Sequence, residues 1–274
     1  MTEKLRNRVH RRLELASLRK KILFYQAAYD KRYFSEFICL LTMFLDKTNH
    51  RRQECFVDYD AQTVLSTNQV LQIADKYDVI SFDVFDTLLF RNVNKPTDVF
   101  QLLETENKVY AFSIKRKQAE ERARRKKYLA TGTDEVTLQE IYQMPELNCG
   151  VSPEKLMAAE RAKEIACCYA NPVLKQLVNE LFVGKKRIIA ISDMYLDSGF
   201  IRCLLKANGY PQLDRIFVSN ECGVNKSSGA LFDLVYDKLK GNVRVLHIGD
   251  NFHSDVMKCK NKAFDRLHYL RATC

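Results

Sequence analysis

The hydrophobic pattern of the first 75 residues is helical. Apolar positions such as Leu5, Val9 and Leu13 recur at a spacing of roughly three to five residues among basic side chains, which predicts an amphipathic helical arm. Residues 33–45 are strongly apolar, but they contain Glu36 and are too few for a membrane span, which needs ~18 to 20 residues. We interpret them as a packed helix, with a helix lying in the membrane interface as the alternative.

Near residue 78 the pattern changes to short apolar runs separated by helical stretches. This alternation is typical of a mostly parallel sheet. About 100 residues rich in Glu, Lys, Ala and Leu separate the first run from the second, and none of them predicts a strand. We therefore expect a helical insert that covers the sheet as a lid and ends with the helix that Pro172 opens. The predicted strands are residues 79–82, 187–191, 215–218 and 243–248.

The predicted fold is therefore α/β, a Rossmann-like three-layer core around a parallel sheet, with an inserted all-helical cap and an N-terminal helical extension. The extension takes residues 1–75 and the cap takes residues 93–179. The core takes residues 76–92 and 180–274. A chain of 274 residues can bury a sizeable core, and its content of 46% hydrophobic and 28% charged residues excludes wholesale disorder.

The chain has a net charge of +10, which fits nucleic acid, an acidic membrane surface or an anionic substrate as a partner. Residues 1–32 hold ten Lys or Arg against three acidic residues, and a second basic cluster spans residues 115–127. Both clusters lie outside the segments that carry the candidate chemistry. Nucleic acid is the weakest of the three partners, because the clusters lack an aromatic-interleaved pattern.

The nine cysteines are odd in number and form no C-x-x-C pair, which argues against a zinc or redox motif. We expect reduced thiols. The sequence shows no secretory signal. We therefore predict a cytoplasmic protein, with peripheral attachment to the inner face of the membrane through the basic arm as a further expectation.

Polar residues follow the predicted strands, at the edge of the sheet where α/β proteins bind ligands. Asp83 follows the first strand and Thr87 comes four residues later. A carboxylate in this position can act as a nucleophile or a metal ligand. Ser192 follows the second strand, where a hydroxyl and the backbone amides can cradle a phosphate. Taken singly, each of these residues is as readily a helix cap or a turn former.

The last two strands add a cation and a pair of carboxylates. Lys226 stands at a helix entrance, where a cation is unfavourable for the helix dipole and therefore indicates an anionic ligand. Gly249 permits a tight turn before Asp250, and Asp255 follows five residues later. Two carboxylates at this spacing can collect a hard cation or order its waters. All four motifs in this order, on successive strands, are hard to explain by capping.

Together the four motifs resemble those of the haloacid dehalogenase-like superfamily, whose members carry a nucleophilic Asp, a Ser or Thr, a Lys and an acidic pair. The resemblance covers about residues 78–270. It is closest to a branch with a helical cap that reads FD-x-FDTLL, SDMYL and IGDN-x-x-SD and accompanies bacterial surface-polysaccharide glycosyltransferases. The corresponding stretches here are residues 82–89, 192–196 and 248–255.

The resemblance implies a Mg2+-dependent phosphatase in which Asp83 forms an aspartyl-phosphate, with Lys226 as a second catalytic residue. The residues that it places at the phosphate are Thr87, Ser192, Asp193 and Lys226. The ligands that it implies for Mg2+ are Asp83, the main-chain carbonyl of Phe85, Asp250 and Asp255. His247 and His253 flank the acidic pair, and we expect them to be packing or surface residues.

One position departs from the pattern of the superfamily. Most of its phosphatases carry a second Asp two residues after the nucleophile, as the general acid and base, and here that position is Phe85. Asp86 follows, where most relatives have Gly. Either Asp86 supplies the catalytic proton through a different loop shape, or the acid is missing, at a cost of about 10²- to 10⁴-fold for a poor leaving group.

The function that this implies is a phosphatase acting on a small phosphorylated metabolite, such as a sugar or polyol phosphate in surface-polysaccharide biosynthesis. The alternative is a catalytically weak fold that serves as a binding or scaffold protein, contacting a glycosyltransferase or the membrane through its basic arm. A dehalogenase also lacks the second acid, but it does not need the metal-site pattern of Asp250 and Asp255.

Overall fold

A computed structural model of the protein describes residues 54–259 and 264–271. The helical arm and the apolar stretch at residues 33–45 lie outside the described residues, so their form stays a prediction. None of the helices in these two ranges combines the length and the hydrophobicity that a membrane span requires.

The main sheet has seven strands in the order β2-β1-β9-β8-β3-β6-β7. Strands β9, β8, β3, β6 and β7 run parallel, and β1 is antiparallel to both of its neighbours. A separate antiparallel pair joins β4 and β5. The strands are β1 (Cys55–Asp58), β2 (Thr63–Leu65), β3 (Val79–Phe82), β4 (Leu89–Arg91), β5 (Cys168–Ala170), β6 (Arg187–Ser192), β7 (Arg215–Val218), β8 (Val245–Gly249) and β9 (Phe264–Leu270).

Helices cover both faces of this sheet. The helices are α1 (Thr67–Ala74), α2 (Asp98–Asn107), α3 (Phe112–Thr131), α4 (Leu138–Tyr142), α5 (Pro153–Cys167), α6 (Pro172–Val183), α7 (Ser198–Ala207), α8 (Ser219–Cys222) and α9 (Ala230–Leu239). Short 3-10 and π-helical turns occupy Pro145–Leu147 and Phe252–Met257.

Successive side chains of a strand point to opposite faces of the sheet. The central strands therefore pack against helices on both faces, which gives the three layers. Ile80 and Phe82 belong to one buried cluster with residues of α6 and α7, whereas Val79 packs with α9. The central strands are buried on both faces, which explains why they read as continuous apolar runs. The predicted α/β fold is confirmed, and the predicted strands 79–82 and 215–218 match β3 and β7.

The helical prediction for residues 1–75 is wrong at residues 55–58 and 63–65, which form β1 and β2. Phe56 and Val57 are fully buried because β1 pairs with β9, so the main sheet extends beyond the predicted core. Two strands of four and three residues are too short to stand out beside the strong periodicity upstream.

The expectation of an insert without strands is also wrong in one place. β4 and β5 pair where the chain leaves the core and where it returns. Each has three residues, and β5 directly follows α5, so neither gives a recognisable alternation. Between them the chain is helical as predicted, and α6 begins at Pro172 with Asn171 as its cap.

Several hydrogen bonds join the cap to the core. The backbone N–H of Leu138, at the start of α4, donates to the carbonyl of Tyr195 at 2.9 Å. The Thr133 hydroxyl donates to the carbonyl of Gly223 at 2.7 Å, and the Asn225 side chain donates to Glu135 at 3.0 Å. The cap is thereby fixed over the carboxyl ends of the parallel strands.

Candidate active site

Three neighbouring strands bring the predicted site residues together. Asp83 directly follows β3, Ser192 ends β6 and Asp250 directly follows β8, and β3 lies between the other two in the sheet. The backbone N–H of Asp83 donates to the carbonyl of Ile248 at 2.9 Å, which fixes the first strand end against the last. Parallel strands thus place these side chains at one edge, as predicted from their positions.

Three carboxylates and one ammonium form the centre of the site. One oxygen from each of Asp83, Asp250 and Asp255 lies within 4.8 Å of the others. The Nζ atom of Lys226 lies 2.5 Å from Asp83 Oδ1 and 2.7 Å from Asp255 Oδ1. Asp83, Asp255 and Lys226 are buried. When all four groups are ionised, this buried cluster carries two uncompensated negative charges.

The pKa values of the cluster reflect this excess of carboxylates. Burial raises the pKa of Asp83 to about 8; Lys226 opposes the rise, and Asp255 and Asp250 add to it. Burial also raises the pKa of Asp250 to about 7, with Asp255 as the next contributor. Burial alone would raise the pKa of Asp255, but Lys226 and His247 hold it well below its usual range. A bound cation would relieve the repulsion between these carboxylates.

The loop that carries Asp250 is held from two sides. The backbone N–H of Asp250 donates to the Thr87 hydroxyl at 3.1 Å, and that hydroxyl donates to Asp250 Oδ1 at 3.4 Å. On the other side, His268 Nε2 donates to the carbonyl of Asp250 at 2.9 Å, while Tyr59 contacts His268 Nδ1 at 2.8 Å. Burial lowers the pKa of His268, so a neutral ring serves this contact.

Asp255 is positioned by a histidine that the sequence pattern did not single out as functional. His247 Nε2 lies 3.3 Å from Asp255 Oδ1, and its Nδ1 lies 2.9 Å from the Ser81 hydroxyl. Burial lowers the pKa of His247, which keeps the ring neutral despite Asp255. Ser81 and His247 are register partners in β3 and β8, so only knowledge of the strand pairing could have identified the contact. His247 is a packed residue, as expected, but it packs against the site.

Asp193 contacts the backbone of Lys226 and holds the lysine in place. Its two carboxylate oxygens accept the backbone N–H of Lys226 at 2.8 and 3.1 Å. The next backbone N–H, that of Met194, donates to the Ser219 hydroxyl at 3.1 Å. These bonds attach the loop after β6 to the segment that carries Lys226. The contact of Asp193 with a phosphate therefore stays a prediction.

A pocket of about 580 Å³ opens between the cap and this edge of the sheet. Its wall includes Phe85, Asp86 and Asp193 from the core and Phe100, Lys117 and Arg124 from the cap. The basic cluster at residues 115–127, which in sequence is remote from the motifs, thus contributes two cations to the pocket. Arg91, which the sequence patterns also did not single out, lies in the same wall.

Gly249 is required at its position by Asp255. A Cβ atom added to Gly249 would lie 2.4 Å from Asp255 Cγ and 2.7 Å from Asp255 Cβ. We predict that Gly249→Ala displaces the buried Asp255 side chain, lowers activity by at least about 10²-fold and costs roughly 1 to 3 kcal/mol of stability. Gly184→Ala is the matched control, because its Cβ would meet nothing nearer than 3.4 Å.

Urea unfolding and initial rates of the two variants check this prediction. A Gly249→Ala protein with the activity of the unsubstituted protein would show that Asp255 can move without loss.

Comparisons with known proteins give distant matches among solved structures. Neither a scan against protein-family models nor a search of curated proteins finds a match. Among solved structures, the chain is similar to L-2-haloacid dehalogenase from Xanthobacter autotrophicus with chloropropionic acid covalently bound, at 16% identity over 69% of this chain and 76% of that one, with a TM-score of 0.47.

A protein described as a HAD-hydrolase, YfnB from Bacillus subtilis bound to magnesium, is similar at 17% identity over 69% of this chain and 87% of that one, with a TM-score of 0.46. Both matches are distant in sequence. Their low identity leaves the reaction and the substrate of this chain to be argued from its own site.

Proposed function

We propose that the protein is a Mg2+-dependent phosphatase that works through an aspartyl-phosphate on Asp83. The observation that carries the proposal is the buried cluster in which Lys226 bridges Asp83 and Asp255 while Asp250 completes the acidic group. A nucleophilic carboxylate and a phosphate are both anions, so their approach needs cations at the point of reaction.

Each residue of the site has a proposed part in the reaction. Asp83 attacks phosphorus, and Lys226 balances the charge of the transferring phosphoryl group. The buried Ser192 hydroxyl, at the end of β6, contacts a phosphoryl oxygen. Thr87 holds the Asp250 loop through the backbone N–H of Asp250, and Asp193 holds Lys226 through the backbone N–H of Lys226.

The donor set of the site fits Mg2+, which prefers carboxylate and carbonyl oxygens. Asp83, Asp250 and Asp255 would hold the ion together with the carbonyl of Phe85, and the ion would offset the two excess negative charges. Its chemistry there is that of a Lewis acid that neutralises phosphoryl charge.

We predict that Mg2+ binding at pH 7 releases about one proton to the buffer, because a metal ion requires its carboxylate ligands to be ionised. The raised pKa values of Asp83, about 8, and Asp250, about 7, keep protons on the metal-free site at this pH. Calorimetric titration in two buffers of different ionisation enthalpy measures the release. Asp83→Asn should release fewer protons, and equal heats in the two buffers would contradict the prediction.

The substrate that the resemblance implies is a small phosphorylated metabolite, such as a sugar or polyol phosphate in surface-polysaccharide biosynthesis. The pocket supports a polar leaving group, because carboxylates and cations such as Asp86, Lys117 and Arg124 can bond hydroxyl groups while Phe85 and Phe100 offer apolar faces. The proposed contact with a glycosyltransferase or a membrane surface involves the arm outside the described residues.

Phosphate release from a panel of sugar, polyol and aryl phosphates tests the proposed function. We expect turnover that requires Mg2+, stops with EDTA and is lost in Lys226→Met but kept in Lys206→Met, which changes an exposed lysine. Chloride release from 2-chloropropionate without metal would instead identify a dehalogenase. Absence of any turnover would favour the binding or scaffold alternative.

A further inference from the structure

The position expected to hold the proton donor presents an apolar ring and a cation. The Arg91 guanidinium carbon lies 4.2 Å from the centre of the Phe85 ring. Arg91 ends β4, and its buried side chain is fixed by the bond from Nε to Glu164 at 3.0 Å. That bond uses Nε, and Glu164 lines the same pocket as Arg91 and Phe85. The two terminal nitrogens of the guanidinium are therefore the atoms that can bond an anion there.

Asp86 is the carboxylate next in sequence to the position of the missing acid. Its backbone has a φ of 63°, and its side chain is half-exposed, with Oδ1 4.0 Å from Arg271 Nη1. Of the described carboxylates, the buried cluster contains Asp83, Asp250 and Asp255 and does not include Asp86. Asp86 thus lies on the pocket wall beside a second guanidinium.

We propose that the substrate is a phosphoanhydride or an acyl phosphate, whose leaving oxygen departs as a stable anion that Arg91 binds. This inference rests on the proposed phosphatase chemistry. In place of a simple sugar or polyol phosphate, it names a polar metabolite whose reacting phosphate is attached to a second phosphate or to a carboxyl group. A proton donor accelerates the departure of an alkoxide, but a phosphate or carboxylate anion leaves without one.

The reaction balances without an enzyme-bound acid. Asp83 Oδ forms a bond to phosphorus as the bond from phosphorus to the leaving oxygen breaks, and the electron pair stays on that oxygen. Water then attacks the aspartyl-phosphate, the bond from phosphorus to Asp83 breaks, and both protons of the water leave with inorganic phosphate as H2PO4⁻. The Asp83 carboxylate is regenerated.

The dependence of the rate on the leaving group tests this proposal. The Mg2+-loaded full chain is assayed with acetyl phosphate, inorganic diphosphate, aryl phosphates from nitrophenyl to phenyl, and glycerol phosphate. We expect kcat/KM to fall by at least about 10²-fold from the most acidic leaving group to glycerol phosphate. Glycerol phosphate turned over within about tenfold of the activated compounds would overturn the proposal.

Three variants separate the residues involved. Phe85→Asp should raise activity on glycerol phosphate at least tenfold and make kcat/KM depend less on the acidity of the leaving group. Arg91→Lys should lower activity on acetyl phosphate more than on phenyl phosphate. Asp86→Asn should change the activity on all of these substrates by the same factor. A selective loss of glycerol phosphate turnover in Asp86→Asn would identify Asp86 as the acid and overturn the proposal. Absence of phosphate release from every compound would defeat the proposed function itself.

Discussion

Replacing Asp83 with Asn is expected to lower kcat by at least about 10⁴-fold, the order found when an enzyme loses its nucleophile, while the metal-free protein becomes more stable. The amide keeps the shape of the side chain but cannot attack phosphorus. It also removes one charge from a buried group of three carboxylates. Lys226 keeps Asp255 as its partner at 2.7 Å, so the substitution leaves no uncompensated cation.

The gain in stability should depend on pH in a defined direction. The pKa of Asp83 is raised by burial to about 8 in the folded protein, from about 3.9 in an unfolded chain. Its contribution to folding is therefore fully present below about pH 4 and is lost as the pH rises through 8. The advantage of Asp83→Asn should be small at pH 5 and larger at pH 8.5.

Urea unfolding in EDTA at pH 5 and at pH 8.5 measures the difference in the free energy of unfolding between Asp83→Asn and the unsubstituted protein. Asp237→Asn, at an exposed position of α9, is the control and should change neither activity nor stability. An Asp83→Asn protein that retains more than about a tenth of the activity would exclude Asp83 as the nucleophile.

Replacing Arg116 with Met is expected to destabilise the protein by about 3 to 5 kcal/mol, the usual cost of removing one partner of a buried ion pair. Arg116 and Glu160 are fully buried and joined by two bonds of 2.7 and 2.8 Å. The Tyr142 hydroxyl also donates to Glu160, at 2.6 Å. With Met at position 116, the Glu160 carboxylate would remain buried without its cation.

The double variant Arg116→Met with Glu160→Gln distinguishes the lost pair from lost packing. Because it removes both charges, it should be more stable than Arg116→Met alone. Arg124→Met breaks a partly exposed pair with Glu120 and should cost at most about 1 kcal/mol. Urea unfolding of the three variants measures their free energies of unfolding. A free energy for Arg116→Met within 1 kcal/mol of that of the unsubstituted protein would contradict the expected cost of the unpaired carboxylate.

The parts of the fold that the sequence predicts are those with strong local patterns. β3 and β7 are continuous apolar runs, and Asp83 and Asp250 follow directly on the ends of such runs. Because parallel strands share one edge, sequence order alone was enough to bring these carboxylates together. The strands β1 and β5 were missed, since strands of four and three residues gain their stability from distant partners.

The contacts that the sequence does not predict depend on the register of strand pairing and on which elements the fold brings together. The Ser81 and His247 contact requires knowing which residues face each other across β3 and β8. Arg116 lies in a run of basic residues that reads as a solvated surface, yet it is the largest fully buried side chain of the described residues. Its partner Glu160 lies 44 residues away on another helix, and no local pattern connects the two.

The most direct test of Asp83 as the nucleophile is to trap the phosphorylated protein. The Mg2+-loaded chain is mixed with 32P-labelled acetyl phosphate, quenched in acid within one turnover and mapped by peptide mass spectrometry. We predict an acid-stable, hydroxylamine-sensitive phosphate on the peptide that contains Asp83, and no label in Asp83→Asn. Label on any other residue, or equal labelling of Asp83→Asn, would contradict it.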